Sequence, residues 1–316
     1  MKKVASFFAG VGGIDLGFIL TNKVKVVYAN EFDSYPADVY EANSDIKVDR
    51  RDIRQIQSDE IPDFDILVGG FPCQAFSSEG KREGFLDSKN RGNLCFELFR
   101  IIKDKQPEAF FLENVRGLVY HDGGNTLKVI LEELNKLGYM IKWSVLNASK
   151  FGNVPQNRER IYIVGFKDKN AFNKFQFPDK IELTNTLDKC IDFENKQDDR
   201  HYISDGYYKT DKFDKLKSII EKYSVYRIKF NRIEKKADNI AFCLMASSYQ
   251  RANRPIVKDN FGMRFITPRE AFNLQGFPKT FILPETSSDA RLMKAAGNSV
   301  CVSVIKRIAD KIFEAI

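Results

Sequence analysis

A cysteine closes an apolar run. Phe64-Asp65-Ile66-Leu67-Val68 leads into Gly69-Gly70-Phe71-Pro72-Cys73-Gln74. The glycines end a buried strand and Pro72 stiffens its exit. Cys73 then stands at the carboxyl end of a sheet strand, where open α/β folds place their chemistry. As a thiolate it would be a strong nucleophile, and as a thiol a small buried hydrophobe, the common fate of a free cysteine. Ala75 to Asn93 follows, rich in glycine and charge, and reads as a functional loop of the lid kind. A second apolar run, Glu108 to Val115, closes on Glu113-Asn114-Val115. A carboxylate there is costly unless used or paired. In Gln156-Asn157-Arg158-Glu159-Arg160, alternation puts both guanidinium groups on one face of an extended segment. Surface charge at a strand start accounts for them equally well.

These groups need a scaffold. Val4 to Ala9 reads as a strand, Gly10-Val11-Gly12-Gly13 as a tight turn, and Ile14 to Leu20 as an amphipathic helix. Strand, glycine turn and helix make an entry for an adenosine cofactor. The spacing is not G-x-G-x-x-G, so a dinucleotide is not indicated. Lys25 to Asn30 is the second strand. Glu31 at its end is placed to accept ribose hydroxyls, and Phe32 to cover an adenine. Asp52-Ile53 ends a further short segment. Leu94 to Ile102 has helical spacing, and Asn125 caps a helix that Gly138 ends. Lys142 to Ala148 and Arg160 to Phe166 are strands. A strand–helix rhythm of this kind predicts an α/β sheet with helices on both faces.

From Lys167 the rhythm is lost. Cationic and aromatic residues interleave to about Lys236, with acids among them, which suits a nucleic-acid-facing module or a plain solvated surface. Ser247 to Arg254 is a second polar stretch of base-reading type. Pro268 opens a short helix, Asp289 to Ala296 looks helical, and Gly297-Asn298-Ser299-Val300 reads as a turn into the last helix.

Composition sets outer limits. The five cysteines are scattered, with neither a disulfide framework nor C-x-x-C spacing, and there are two histidines. A reduced, cytoplasmic setting and no metal are expected. No run is long and apolar enough to span a membrane. The N-terminus lacks the apolar stretch of a signal peptide. The net charge of +7 suits a polyanionic partner.

Together, Phe8-Ala9-Gly10-Val11-Gly12-Gly13, Phe71-Pro72-Cys73-Gln74, Glu113-Asn114-Val115, Gln156-Asn157-Arg158-Glu159-Arg160 and Gly297-Asn298-Ser299-Val300 resemble the ordered motifs of the DNA (cytosine-5) methyltransferases, bacterial modification-enzyme type. The resemblance covers nearly the whole chain. It implies a Rossmann-like, S-adenosylmethionine-dependent catalytic domain, residues 1–166 and 290–316, and a smaller target-recognition domain, 167–289. It implies methyl transfer to C5 of a flipped-out cytosine in double-stranded DNA, with S-adenosyl-L-homocysteine as product, inside a restriction-modification system. The enzyme is expected to be monomeric. Cys73 becomes the nucleophile, Glu113 its acidic partner, and Arg158 and Arg160 the groups that hold the base and the cysteine region. Phe8, Gly10, Gly12, Gly13, Glu31, Phe32, Asp52, Ile53, Pro72, Asn298 and Val300 would line the cofactor. Gln74, Ser77, Lys81, Arg82, Arg227, Tyr249, Arg251 and Arg254 would meet DNA. Many members carry an acid where Ser6 stands, a tryptophan where Phe32 stands, and a Thr-Leu pair where Cys243-Leu244 stands.

The chemistry fits those residues. Cytosine C5 is a poor nucleophile, and a thiolate added at C6 makes it enamine-like. Charge then develops at N3, which a protonated, buried Glu113 would neutralise. A base inside a duplex must be flipped out to be reached, as methyltransferases in general do. Two other readings stay open on the sequence: a tRNA methyltransferase of the same family, and a non-catalytic DNA binder on this scaffold.

Overall fold

The computed structural model describes residues 1–72, 94–204, 207, 211–229, 232–236, 239–250 and 253–316, with 211 and 212 as backbone only. Cys73, Gln74, Ser77, Lys81, Arg82 and Arg251 lie outside the described residues.

The chain forms two compact units. The first comprises Met1–Leu146, Glu159–Asp179 and Val304–Ile316; the second comprises Asn147–Arg158 and Lys180–Ser303. These bounds differ from those expected from the sequence: 147–158 and 290–303 cluster with the second unit, and 167–179 with the first.

Six strands make the sheet of the first unit: β1 (Lys2–Phe7), β2 (Val24–Asn30), β3 (Ile66–Gly70), β4 (Ala109–Val115), β5 (Met140–Asn147) and β6 (Glu159–Phe166). Their order is β2-β1-β3-β4-β6-β5. The pairs β1–β2, β1–β3 and β3–β4 are parallel, and β6 runs antiparallel to β4. Fully buried Ile66-Leu67-Val68 and Phe110-Phe111-Leu112 explain the near-continuous apolar runs, because a parallel strand is covered on both faces. Alternation divides the sheet. Phe7, Leu67, Phe110, Leu112, Ile161 and Ile163 pack with Leu98 and Ile102 of α3 (Leu94–Lys105) and with Ile130 and Leu134 of α4 (Asn125–Lys136). On the other face, Phe18 of α1 (Gly13–Ile19) meets Phe111 and also Phe313 of α10 (Val302–Ala315). The expected α/β sheet with helices on both faces is present.

The second unit holds an antiparallel sheet of four short strands: β7 (Tyr226–Lys229), β8 (Arg232–Lys235), β9 (Ile256–Lys258) and β10 (Met263–Phe265), in the order β10-β9-β7-β8. Tyr226, Ile228, Ile256 and Phe265 pack on Phe213 and Leu216 of α7 (Asp211–Ile219). The opposite face of β7 and β8 carries Arg227, Lys229, Arg232 and Glu234, three cations to one acid. At the root of this unit Arg264 has no exposed surface. Its Nε donates to Asp259 at 2.7 Å, Nη1 and Nη2 each donate to Glu270 at 2.8 Å, and Nη2 donates to the Asp192 carbonyl at 2.6 Å. Glu270 also completes a capping box with Thr267 at the start of α8 (Pro268–Asn273). A buried guanidinium is tolerated here because each of its nitrogens has a partner.

Candidate active site

β1 ends in a turn unusual for its backbone. Phe8 takes φ +53°, in the left-handed region that a bulky residue seldom occupies, and Gly10 takes φ +57°. A Cβ placed on Gly10 would meet nothing within 4 Å, so this glycine leaves open space rather than packing room. Glu31, just after β2, braces the turn. Its Oε2 accepts from the Gly10 N–H at 2.9 Å and its Oε1 from the Asp33 N–H at 2.8 Å. Burial pushes the Glu31 carboxyl up, against those two bonds. Phe32 beside it is 68% exposed, a high value for a phenylalanine. An open glycine turn, an anchored carboxylate with lone pairs to spare and a bare aromatic face fit the glycine turn, ribose and adenine contacts of an adenosine cofactor. Glu31→Ala is therefore expected to weaken cofactor binding by about 1–3 kcal/mol by calorimetry.

Other predicted cofactor residues are placed differently. Gly12 is filled from behind: a Cβ there would come within 3.0 Å of the Tyr40 ring. Gly13 is the buried first residue of α1. Asp52 caps a 3-10 turn and its carboxylate is clamped on Arg54, with Nε at 2.9 Å and Nη2 at 2.5 Å, which holds it below the usual carboxylate range. The Ile53 side chain belongs to the core, 3% exposed. Pro72 is half-buried. Asn298 and Val300 fall in the second unit, the first exposed and the second buried.

Glu113 ends up beside the strand that leads to Cys73. The register pairs it with Gly70 on β3 and with Tyr162 on β6. Its Oε2 lies 3.4 Å from where a Gly70 Cβ would be. Its Oε1 is 3.1 Å from Nε of Arg160, in a pair whose side chains are 11% and 13% exposed. Asn114, 1% exposed, donates from Nδ2 to the Phe71 carbonyl at 3.2 Å and so holds the exit of β3. Sequence reasoning assigned Asn114 no task of its own; its position next to Glu113 was the available signal.

Arg158, read from the sequence as sharing a face with Arg160, has a separate set of partners within the second unit. Nη1 donates to the Leu244 carbonyl at 2.5 Å and lies 3.6 Å from the Cys243 sulfur. Nη2 donates to the carbonyls of Gly297, at 3.1 Å, and Ser299. Gln156, with no exposed surface, joins the same segments, donating to the Leu274 carbonyl at 2.6 Å and accepting from the Leu244 N–H at 3.0 Å. Gly297 is not a turn residue. It lies in α9 (Asp289–Asn298), where a Cβ would come within 2.1 Å of the Met245 carbonyl oxygen. Glycine is required there for close approach of two backbones.

Of the predicted DNA contacts, Arg227 pairs with Glu234 at 2.5 Å and lies 4.4 Å over the Phe242 ring. Arg254 lies 3.9 Å over Phe265, and Tyr249 is 38% exposed. Among the described residues no group of His, Cys, Asp and Glu could hold a metal ion, and no helix is long and apolar enough to cross a membrane.

This sheet, with a buried carboxylate and arginine at the ends of β4 and β6, defines a methyltransferase-type α/β protein. The chain belongs to the family of C-5 cytosine-specific DNA methylases, whose model matches residues 2–314, and it is a DNA (cytosine-5-)-methyltransferase. It is 46% identical over 99% of both chains to Type II methyltransferase M.Bsp6I of Bacillus sp. (strain RFL6). It is 42% identical to Type II methyltransferase M1.ScrFI of Lactococcus lactis subsp. cremoris, over 99% of this chain and 78% of that protein. In fold it is similar to the Entamoeba histolytica methyltransferase EhMeth, with a TM-score of 0.78 and 20% identity over 99% of this chain and 98% of that one.

Proposed function

We propose that the protein is the modification enzyme of a restriction-modification system, acting as a monomer in the bacterial cytoplasm on double-stranded DNA through a covalent Cys73 intermediate. The buried Glu113–Arg160 pair beside Gly70 supports this reading most directly. It sets a carboxylate, with Oε2 close to Gly70, next to the strand that leads to Cys73. S-adenosyl-L-methionine would supply the methyl group, with Phe8, Gly10, Glu31 and Phe32 holding its adenosine part. The Cys73 sulfur adds to C6 of the flipped cytosine. Glu113 binds the N3 edge and delivers the proton that balances the electron pair moved there. C5 then takes the methyl group, a base removes the C5 proton, and the sulfur leaves with its electron pair. Arg160 orients Glu113, and Arg158 serves through the segments it clamps.

Target choice is assigned to the part of the second unit within residues 180–289. The cationic outer face of β7 and β8, with Arg254 and Tyr249, suits phosphate positioning and base reading. Purified protein, S-adenosylmethionine and a random-sequence duplex are expected to yield 5-methylcytosine in one short sequence context, mapped by bisulfite sequencing. Methylation of tRNA with none on duplex DNA would overturn the assignment.

A further inference from the structure

Behind the cofactor turn lies a carboxylate that the reaction as described does not use. Asp15, in the first turn of α1, is 2% exposed. Its Oδ2 accepts from the Tyr40 hydroxyl at 2.6 Å, and Ser6 on β1 adds a second side-chain bond. Its Oδ1 is buried with no hydrogen-bond partner among the described residues. Tyr40, on α2 (Ser34–Glu41), is itself 3% exposed, and its ring is the surface that fills the space left by Gly12. One tyrosine thus touches the turn with its ring and the acid with its hydroxyl.

We propose that Asp15, locked by Tyr40, is a positioning and charge-setting residue for the turn, selecting the cationic sulfonium of the methyl donor over the neutral thioether of the product. The proposal rests on the cofactor reading above. Burial pushes the Asp15 carboxyl up to about 6, against the Ser6 and Tyr40 bonds that pull it down. Burial and the neighbouring Asp15 push the Tyr40 hydroxyl up, so it stays a donor. The stability that Asp15 contributes is complete below its ordinary value of 3.8 and is lost as pH rises through about 6. At neutral pH the fold therefore holds an ionised, half-satisfied carboxylate against its own stability, a pattern expected of functional positions.

Among the described residues the charged and titratable neighbours are few. Ser6 faces Asp15 from β1 and Tyr40 from α2. Glu31 follows β2, on the far side of the turn, at Gly10. Glu113 on β4 is paired with Arg160, and Lys306 on α10, which packs on α1 at Gly17, is paired with Asp310. Donor and product share the ribose and the amino group and differ in charge at sulfur. The ratio of their affinities removes the ribose contacts of Glu31, which both ligands share, and Asp15→Asn then separates the charge of Asp15 from any effect of Glu31 on the sulfonium.

The test is calorimetric binding of S-adenosylmethionine and S-adenosylhomocysteine from pH 5 to 8, with thermal melts alongside. In the wild type the preference for the donor should rise roughly three- to tenfold as pH passes through 6, the scale of one partly screened charge. Asp15→Asn should flatten that rise and lose donor affinity, yet melt at or above the wild-type temperature at pH 8. Tyr40→Phe removes a bond that favours the ionised acid and should move the rise to higher pH. An unchanged rise in Asp15→Asn, or a lower melting temperature at pH 8 with unaltered discrimination, would make Asp15 a structural residue and overturn the proposal. If Glu31→Ala still weakens both ligands in that case, the cofactor reading survives alone. A wild type that binds neither ligand would remove both.

Discussion

Given S-adenosylmethionine and a duplex with 5-fluorocytosine at the target position, the protein is expected to end as a protein–DNA adduct that survives denaturation. Turnover through a Cys73–C6 bond requires loss of the C5 proton before the sulfur can leave. Fluorine at C5 permits methyl transfer but cannot depart as a cation, so elimination stops and the adduct persists. Cys73→Ala should give no adduct, while alanine at Cys95, Cys190, Cys243 or Cys301 should leave trapping intact. The structure supplies the contrast. Burial pushes the thiols of Cys95 and Cys190 up to about 12, so neither supplies thiolate near neutrality. Cys73→Ala should still bind the duplex, because phosphate contacts supply most of the affinity. Trapping by the Cys73→Ala protein would end the covalent mechanism, as would its absence in a demonstrably active wild type.

The second large effect separates two arginines that the sequence presents as a pair. Arg158→Ala should lower the melting temperature by about 10 °C, the consequence of losing about 3–5 kcal/mol in a unit of this size. The guanidinium serves the carbonyls of Leu244, Gly297 and Ser299 at once, and the last two close the end of α9. Removing it strands buried acceptors, each of which costs about 1–3 kcal/mol. Arg158→Lys should recover only part of the loss, since an ammonium is a point charge without the planar fork. Arg160→Ala should do the reverse: a small change in melting and a large fall in kcat, because its partner is Glu113. The readout is differential scanning calorimetry with limited proteolysis of the second unit. An Arg158→Ala protein that melts like wild type but has lost activity would put Arg158 in the chemistry instead.

Much of the first unit was legible because burial on both faces writes itself as unbroken apolar runs, and β3 and β4 show this. The direction of β6 was not legible, since alternation is the same in parallel and antiparallel strands. Glu113, near the end of β4, and Glu31 and Gly10, just past strand ends, were legible as polar or glycine residues at such positions. Gly297 was misread as a turn because its cause, the backbone at Met245, is remote in sequence. The same holds for Gln156 and Arg158, whose acceptors are beyond residue 240. Asp15 gave no signal at all. Among Ile14, Leu16 and Phe18 it looks like the wet side of an amphipathic helix, and only Tyr40 shows it to be inside.

The Arg264 knot bears on how specificity can be inherited. Its anions come from Asp259 and Glu270, with a carbonyl from Asp192, so the buried charges straddle any recombination crossover near residue 260. A crossover there delivers Asp259 without Arg264 and leaves each parent's half unneutralised, unless both parents carry the same trio. Viable exchange between lineages is thereby confined to breakpoints outside the knot. Recognition should travel as a cassette from the start of the second unit to the end of α8, or drift by single substitutions on its surface.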